Sequence, residues 1–343
     1  MSELRKDPII DRWVIVAAER GRRPTDFTPA LDPPTGAFSP FAPGNEAKTP
    51  PEVFQIGRAP SEPSNSPGWR VRVVPNKFPA LSNTGELDFR AHGMYDEMNG
   101  VGVHEVIIEH TNSEWDLALA TSDESADVLN AYKARITALY EDPRLRYVVA
   151  FRNKGVAAGA TIAHPHSQII ALPIIPRQVR ERLEAAREHY QRKRRSIFSD
   201  MLRQEAQDGS RVVEESEHFW VLSPFAARFP FELQVFPKRH NHDFTAQSSE
   251  ELRALGEVLV RALKRVKGAL SNPAYNMMLH STPNKRYAPG SEDDWKTIAQ
   301  DFCWHIDILP RLTSVAGFEW GTGFYINPVA PEAATKYLRD VEV

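Results

Sequence analysis

Between Phe151 and Gln168 the chain reads FRNKGVAAGATIAHPHSQ, a glycine-bearing loop followed by a pair of histidines. Gly155 and Gly159 permit positive φ and close backbone approach, so successive N–H groups there can point at phosphate oxygens, with Asn153, Thr161 and Gln168 as side-chain donors. The stretch 163–173 reads as a strand. Residues two apart on a strand share a face, so His164, His166 and Gln168 are expected to project together. Such a face suits phosphoryl chemistry and needs no metal. A neutral imidazole is nucleophilic near pH 7 and can attack a diphosphate to give a covalent nucleotidyl-histidine, which splits one transfer into two steps. The attacking nitrogen must keep its lone pair, so the opposite ring N–H needs an acceptor, and a nearby backbone carbonyl would fix that tautomer. Pro165 fixes φ and removes a competing donor. Gln168 can donate to a non-bridging oxygen without supplying a labile proton. An isolated His-x-His strand more often marks a two-histidine metal site or ordinary packing. The glycine loop upstream turns the reading toward phosphate.

The elements that must position these residues recur in two half-chains. WRVRVVPNKFPAL from Trp69 sets apolar Val71 and Val73 against polar Arg70 and Arg72 before a turn at Pro75 and Asn76, which is a strand signature. HEVIIEH (104–110) is a β-branched run. Thr121 and Glu124 then form a capping box before a helix with Val128, Tyr132, Ile136 and Leu139 on one face, and YVVAFRN (147–153) is a further strand. The second half repeats the order: strand and turn at 218–230, strand at 231–237, and a cap at Ser248 and Glu251. A helix striped by Leu252, Leu255, Leu259 and Val266 follows, with strands at 275–280 and 304–310. This is a pseudo-repeat of about 65–175 and 215–312. Meanders with one helix inserted predict an α+β fold over a doubly wound one. Residues 177–208 are helical in pattern, and their basic run Arg192 to Arg195 reads as a solvated helix face.

At 343 residues the chain suits two domains or one large one. Its 41% hydrophobic and 25% charged residues belong to a folded globular protein. The 42 basic against 45 acidic side chains give a formal charge of −3, so no global field recruits nucleic acid or an acidic membrane. The opening MSELRKDPIID carries no apolar signal core, and there is no apolar run long enough for a membrane span; a cytoplasmic protein is expected. One cysteine, Cys303, excludes an intrachain disulfide framework and any cysteine-rich zinc site, and is most simply a small buried apolar residue. Prolines crowd between Pro24 and Pro67, which predicts an irregular segment laid over a core.

HPHSQ, the FRNKGxxxG loop, the opening LRKDPIIDRWVIVAAERGRRP, the PNKFPAL turn and GFEWGTGFYINPV near the C-terminus together resemble the galactose-1-phosphate uridylyltransferase family of the histidine-triad superfamily, over nearly the whole chain. The resemblance implies an α+β fold of two tandem histidine-triad-like halves. An N-terminal catalytic half would span 1–175, and a C-terminal structural and substrate-binding half 176–343, with antiparallel sheet running across both. It also implies a homodimer whose sites borrow residues from the partner. By position, His166 matches the family nucleophile, His164 the histidine before it, and Gln168 the glutamine that contacts the transferred phosphoryl group. Asn153, Gly159 and Thr161 match the diphosphate loop, Arg20 and Arg23 the arginines near the nucleotide phosphates, and Asn76 and Lys77 the base or ribose contacts. The hexose-phosphate contacts from the other subunit map onto Phe318, Glu319 and Asn327.

The pattern breaks at the metal sites. Many relatives hold a structural zinc with a CxxC before PGNE, a histidine after the VIIE strand, and the first histidine of HPH. Here Ser39, Ala42 and Ser113 stand in the first three places and only His164 remains, a set that cannot close a tetrahedral zinc site, so that zinc is expected to be absent. His110 lies close in sequence but reads as a surface or edge histidine. A second site of some relatives maps to the C-terminal half. There His280, His305 and Asp307, with Glu181 or Glu184 as a fourth ligand, are candidates for zinc or iron; alternatively His305-Ile-Asp307 is the decayed counterpart of His164-Pro-His166.

The resemblance thus implies an enzyme that moves UMP from UDP-glucose to galactose 1-phosphate in a ping-pong sequence through uridylyl-His166, with no cofactor needed for the chemistry. Two alternatives stand beside it. One is a phosphorylase of the same fold that splits ADP-glucose with phosphate. The other is a non-catalytic nucleotide-sugar-binding protein.

Overall fold

A computed structural model describes residues 2–20, 26–27, 38–286 and 295–343. Ten strands form one sheet: β1 (Phe54–Ile56), β2 (Val71–Pro75), β3 (Val103–Ile108), β4 (Tyr147–Lys154), β5 (His166–Leu172), β6 (Val212–Glu215), β7 (Phe219–Leu222), β8 (Leu233–Pro237), β9 (Tyr275–His280) and β10 (His305–Pro310). Their spatial order is β6-β7-β8-β10-β9-β4-β5-β3-β2-β1, and every neighbouring pair is antiparallel. The order is a palindrome: each strand of the first five has its counterpart five numbers later, mirrored about the central pair β4 and β9. Asn153 faces Asn276 across that pair, and Phe151 faces Met278. The pseudo-repeat of the sequence has become a local two-fold inside one sheet. β1 and β6, short edge strands, are additions to the order read from the sequence.

Helices α1 (Ser122–Leu139) and α4 (Ser249–Ala269) begin at the expected capping boxes, Thr121 with Glu124 and Ser248 with Glu251. Each such cap satisfies backbone donors that would otherwise be orphaned, a contribution of about 1 kcal/mol. The striped faces point at the sheet: Val128, Tyr132 and Ile136 from α1 and Leu252, Leu255 and Leu259 from α4 are buried in one apolar cluster with Val73, Ile107, Ile169 and Ile306. The two helices also pack on each other at Gly256, where a Cβ would lie 2.4 Å from Ser125 Oγ and 3.0 Å from its Cβ.

The opposite face of the sheet is treated unequally in the two halves. Over the second half lie α2 (Arg177–Lys193) and α3 (Ile197–Asp208), whose Val179, Leu183, Ala186 and Phe198 pack on Phe236, Phe302, Cys303 and Tyr147. Cys303 is buried as expected, and its thiol is pushed up to about 12 by that burial. α2 ends at Arg194 in the left-handed region; beyond Ala186 the helix is polar, and Arg192 and Arg195 are exposed beside Glu188 and Asp200. Over the first half lies the irregular segment 38–69. It changes the reading of one strand. Arg72, polar by alternation, is buried rather than solvated, because Glu52 (2.9 Å), Thr49 (2.9 Å) and Asn65 (3.0 Å) from that segment close over its guanidinium. Burial of a charge is tolerable only with such pairing.

A smaller sheet joins Glu3–Lys6, Trp13–Val16 and Tyr325–Asn327. Among the described residues no helix is long and apolar enough to cross a membrane.

The α1–α4 contact sets a stability test. Gly256→Val forces the helices apart and should lower stability by about 1–3 kcal/mol, read as an earlier urea midpoint; an unchanged midpoint would show that this contact is not close-packed.

Candidate active site

β5 opens at His166, not at residue 163, because the paired strand begins there. Along it Ser167, Ile169 and Ala171 are buried against the helical layer, while His166, Gln168 and Ile170 turn to the other face. The expected shared face therefore holds for His166 and Gln168. His164 precedes the strand and is buried, its ring tied at both nitrogens: Nε2 donates to the His110 carbonyl (2.8 Å) and Nδ1 accepts from the Ser39 hydroxyl (3.1 Å).

The His164 backbone does something the ring does not. Its carbonyl accepts from His166 Nδ1 at 2.8 Å. That bond puts the ring proton on Nδ1 and leaves the Nε2 lone pair available, as a nucleophile requires. His166 borders a cavity of about 280 Å³ together with Asn153, Gly155, Lys154 and Trp115. Burial lowers its pKa, outweighing the opposing hydrogen bond to the His164 carbonyl, so the ring is neutral at pH 7. The Phe41 ring meets both histidines edge to face, its centroid 5.5 Å from that of His166 and 6.1 Å from that of His164.

Behind His166 a buried network fixes the strands. Glu109 takes both contacts from Arg152 Nε (2.9 and 3.1 Å) and a hydrogen bond from Ser167, whose hydroxyl in turn accepts from Tyr132 at 2.5 Å; Arg152 also donates to the Tyr275 hydroxyl at 2.6 Å. Burial opposes the Arg152 charge, but Glu109 and Tyr275 raise its pKa overall, so the ion pair persists.

The loop after β4 has Gly155 at φ +80° and Gly159 at φ +89°, both in the region that side chains avoid. Its N–H groups are less free than the sequence suggests. Ala158 and Ala160 donate to the Gly155 carbonyl and Gly159 donates to that of Val156, so the loop is a self-closed turn. Asn153 is oriented by Asn276 of the other half, whose Nδ2 donates to Asn153 Oδ1 and to the Ala158 carbonyl, both at 2.8 Å. The Asn153 amide nitrogen is thereby left as the donor, lying over Gly159. Thr161 is exposed and does not border the cavity. Asn276 was invisible to sequence reasoning because its relevance depends on β4 pairing with β9.

Gln168 is held by a second residue that the sequence reading passed over, His104. Ala80 N–H donates to His104 Nδ1 (3.3 Å), so Nε2 carries the proton and donates to Gln168 Oε1 at 2.8 Å. The Gln168 NH₂ is then the group left free to donate. Asn76 approaches the same His104 nitrogen at 3.1 Å, and neighbouring Lys77 is exposed. The place of His104 on β3 opposite Ile170, one strand over from Gln168, was the available signal.

Other expected site residues are dispersed. Arg20 ends the turn Ala18–Arg20, with its side chain outside the described residues, as is the whole of Arg23. Phe318 and Glu319 sit on the short helix Gly317–Thr322, away from the His166 cavity; Phe318 is exposed and the Glu319 carboxylate accepts from Ala316 N–H. Asn327 is a correction. It is wholly buried, its amide donating to the Ala227 and Phe229 carbonyls and accepting from Val329 N–H, so it anchors the smaller sheet and offers nothing to a ligand.

The residues at the first metal position do not fit a zinc. Ser39 and His164 hydrogen-bond each other, and His110 turns its ring away to stack on Trp115 (5.4 Å between centroids, 3° between planes). In the second half His280, His305 and Asp307 do converge, with donor atoms within 4.8 Å of one another. The expected fourth ligands do not join them: Glu184 is exposed and Glu181 pairs with Arg177, both along a separate groove. The helix presents Arg182 instead, 2.7 Å from His305 Nε2 and 3.1 Å from Asp307 Oδ2. The alignment of the halves also shifts. His305 opens β10 as His166 opens β5, so Asp307 is the counterpart of Gln168, and Cys303 that of His164.

Comparison with known proteins agrees with this geometry. A family model described as "Domain of unknown function (DUF4921)" matches residues 102–341. ADP-glucose phosphorylase of Arabidopsis thaliana is 35% identical, covering 99% of this chain and 93% of that protein. The chain is a nucleotidyltransferase of the galactose-1-phosphate uridylyltransferase-like family. Galactose-1-phosphate uridylyltransferase of Thermotoga maritima is 29% identical over 100% of this chain and 99% of its own. The crystal structure of the Arabidopsis ADP-glucose phosphorylase with bound ADP-glucose superposes with a TM-score of 0.82 at 32% identity over the full length of both chains. For a uridylyltransferase structure the TM-score is 0.74 at 25% identity, over 99% of this chain and 97% of the other. In this galactose-1-phosphate uridylyltransferase-like protein the HPH segment rests on the hydrogen bond between Ser39 and His164 and on the Phe41 ring.

The His104 tether and the buried His166 ring yield one expected outcome each. His104→Leu should slow nucleotidyl transfer by about tenfold to a hundredfold with the substrate KM little changed, since Gln168 loses its orientation and not its donor; a kcat equal to wild type would remove His104 from the site. Because the His166 pKa is lowered, the reactive neutral ring survives further into acid than a free imidazole. The acid limb of the first half-reaction should therefore fall below the pH at which free imidazole titrates, and a limb at or above it would contradict the buried, neutral ring.

Proposed function

We propose that the chain transfers a nucleoside monophosphate from a nucleoside-diphosphate glucose to a phosphate-bearing acceptor through a nucleotidyl-His166 intermediate. The observation that carries this reading is the Nδ1–H bond from His166 to the His164 carbonyl, which aims a neutral Nε2 lone pair at a cavity. In the first step Nε2 attacks the α-phosphorus, the Nε2–P bond forms and the bridging P–O bond breaks. Glucose 1-phosphate leaves as a dianion stable at neutral pH, so no general acid is required. The ring becomes cationic and the His164 carbonyl stabilises it through the retained Nδ1–H. Gln168 donates to a non-bridging oxygen as charge develops there. In the second step an acceptor phosphate oxygen attacks phosphorus from the vacated side and Nε2 regains its lone pair. Asn153 and Lys154 serve the diphosphate, and Arg20, Arg23, Asn76 and Lys77 the nucleotide. His164, which the resemblance places beside the nucleophile, acts through its backbone.

Two donor and acceptor pairs have support. ADP-glucose with inorganic phosphate is favoured by the 35% identity to the Arabidopsis phosphorylase and by the bound ADP-glucose of its structure. UDP-glucose with galactose 1-phosphate is favoured by the full-length match to the Thermotoga uridylyltransferase. The tautomer lock on His166 and the tether on Gln168 support turnover over a binding-only role. The reading extends to a cytoplasmic homodimer in which Phe318 and Glu319, exposed or capping on a helix remote from their own cavity, serve the partner's acceptor.

Incubation with ADP-glucose and UDP-glucose labelled in the α-phosphate, followed by denaturation at alkaline pH, should leave label on the wild type and none on His166→Ala. Equal label on both would refute the nucleophile. Pairing each donor with phosphate and with galactose 1-phosphate then identifies the acceptor, and failure of all four pairs would remove the transferase reading.

A further inference from the structure

The second half holds a copy of the nucleophile's local geometry that cannot be used. His305 donates Nδ1–H to the Cys303 carbonyl at 3.0 Å, as His166 does to that of His164 at 2.8 Å, so in both rings the lone pair lies on Nε2. For His166 that lone pair borders a cavity of about 280 Å³; beside His305 the remaining space is about 30 Å³, room for one water. The difference is Arg182. Its Nη1 donates to His305 Nε2 at 2.7 Å and its Nη2 to Asp307 Oδ2 at 3.1 Å. Asp307 accepts in addition from Gln234 (2.9 Å) and Arg228 (3.4 Å).

The surrounding charges close. Asp7 pairs with Arg12 (2.5 Å), Glu232 with Arg228 (2.8 Å) and Asp307 with Arg182, while Glu205 on the same wall is taken by Arg211 (2.9 Å). With neutral histidines the cluster has no net charge. A divalent cation placed among His280, His305 and Asp307 would leave two uncompensated positive charges in a buried site, and it would meet the guanidinium already bonded to two of its three ligands. His280 Nε2, 3.3 Å from Asp307 Oδ2, makes no hydrogen bond and is the donor such an ion would engage if the guanidinium were gone.

We infer that Arg182 is the built-in cation of this closed twin site: the guanidinium holds the place of a divalent metal among His280, His305 and Asp307, and the half is stabilised by an ion cluster instead of a metal. This is independent of which donor the His166 site takes. The test uses the full chain purified without chelator, its metal content measured by mass spectrometry, and titration with Co²⁺ followed by visible absorption. Wild type should carry far less than one metal per chain, develop no cobalt band, and keep its thermal midpoint in EDTA. Arg182→Gln, which removes the charge and frees His305 Nε2, should take up about one Co²⁺ per chain with a band that Arg182→Gln with His280→Ala loses. A wild type holding about one metal per chain, released by His305→Ala, would overturn the inference. A folded Arg182→Gln that binds no cobalt would overturn it too, because something other than the guanidinium would then exclude the ion. Should Arg182→Gln fail to fold, the wild-type metal content decides alone.

Discussion

A single hydrogen bond, from His166 Nδ1 to the carbonyl two residues earlier, sets the protonation geometry on which the site depends. An imidazole has two nitrogens and only one can carry the lone pair when neutral. Committing the proton to Nδ1 commits Nε2 to the cavity. The carbonyl can do this only if residues 164–166 hold a fixed bend into β5. That bend is held by both nitrogens of His164, by Ser39, and by the Phe41 edge. Interactions that touch no substrate therefore decide which atom of His166 is reactive.

The face that carries His166 is kept in place by charges buried behind it. Glu109 follows the end of β3 and Arg152 lies on β4, with β5 between them in the sheet, and both are almost fully out of water, a situation that destabilises either one alone by several kcal/mol. Ser167, Tyr132 and Tyr275 complete the hydrogen bonding, so three strands are pinned at the height of His166. Apolar packing alone, which is tolerant of small sliding, would fix that register less sharply.

The mirrored strand order gives the chain two such faces and the structure uses them differently. In the first half an irregular segment covers the sheet and leaves a cavity at His166. In the second, two helices lie across the sheet and deliver Arg182 to His305. The same Nδ1-to-carbonyl bond is present in both, so the difference lies in what meets Nε2. The halves also cooperate. Asn276 of the second orients Asn153 of the first, which ties the glycine loop to the central strand pair.

The capping boxes, the two helical stripes, the strand order within each half, and His166 with Gln168 are local properties. Periodicity, a cap spaced by three residues, and alternation on a strand act between near neighbours, and the sequence determines them by itself. What lies opposite each residue depends on pairing between distant segments, and only the tertiary structure decided that. Arg72 reads as a solvated residue until Glu52 and Asn65 arrive over it. His104 and Asn276 acquire roles only because β3 borders β5 and β4 borders β9. Glu184 and Arg182 are two residues apart on one helix, and the helix rotation against the sheet chose the arginine to face Asp307. Asn327 lies within a recognisable motif, yet its burial against two carbonyls uses every polar atom it has. Side-chain type and spacing fix which chemistry is available; the packing of remote elements fixes which groups remain free to perform it.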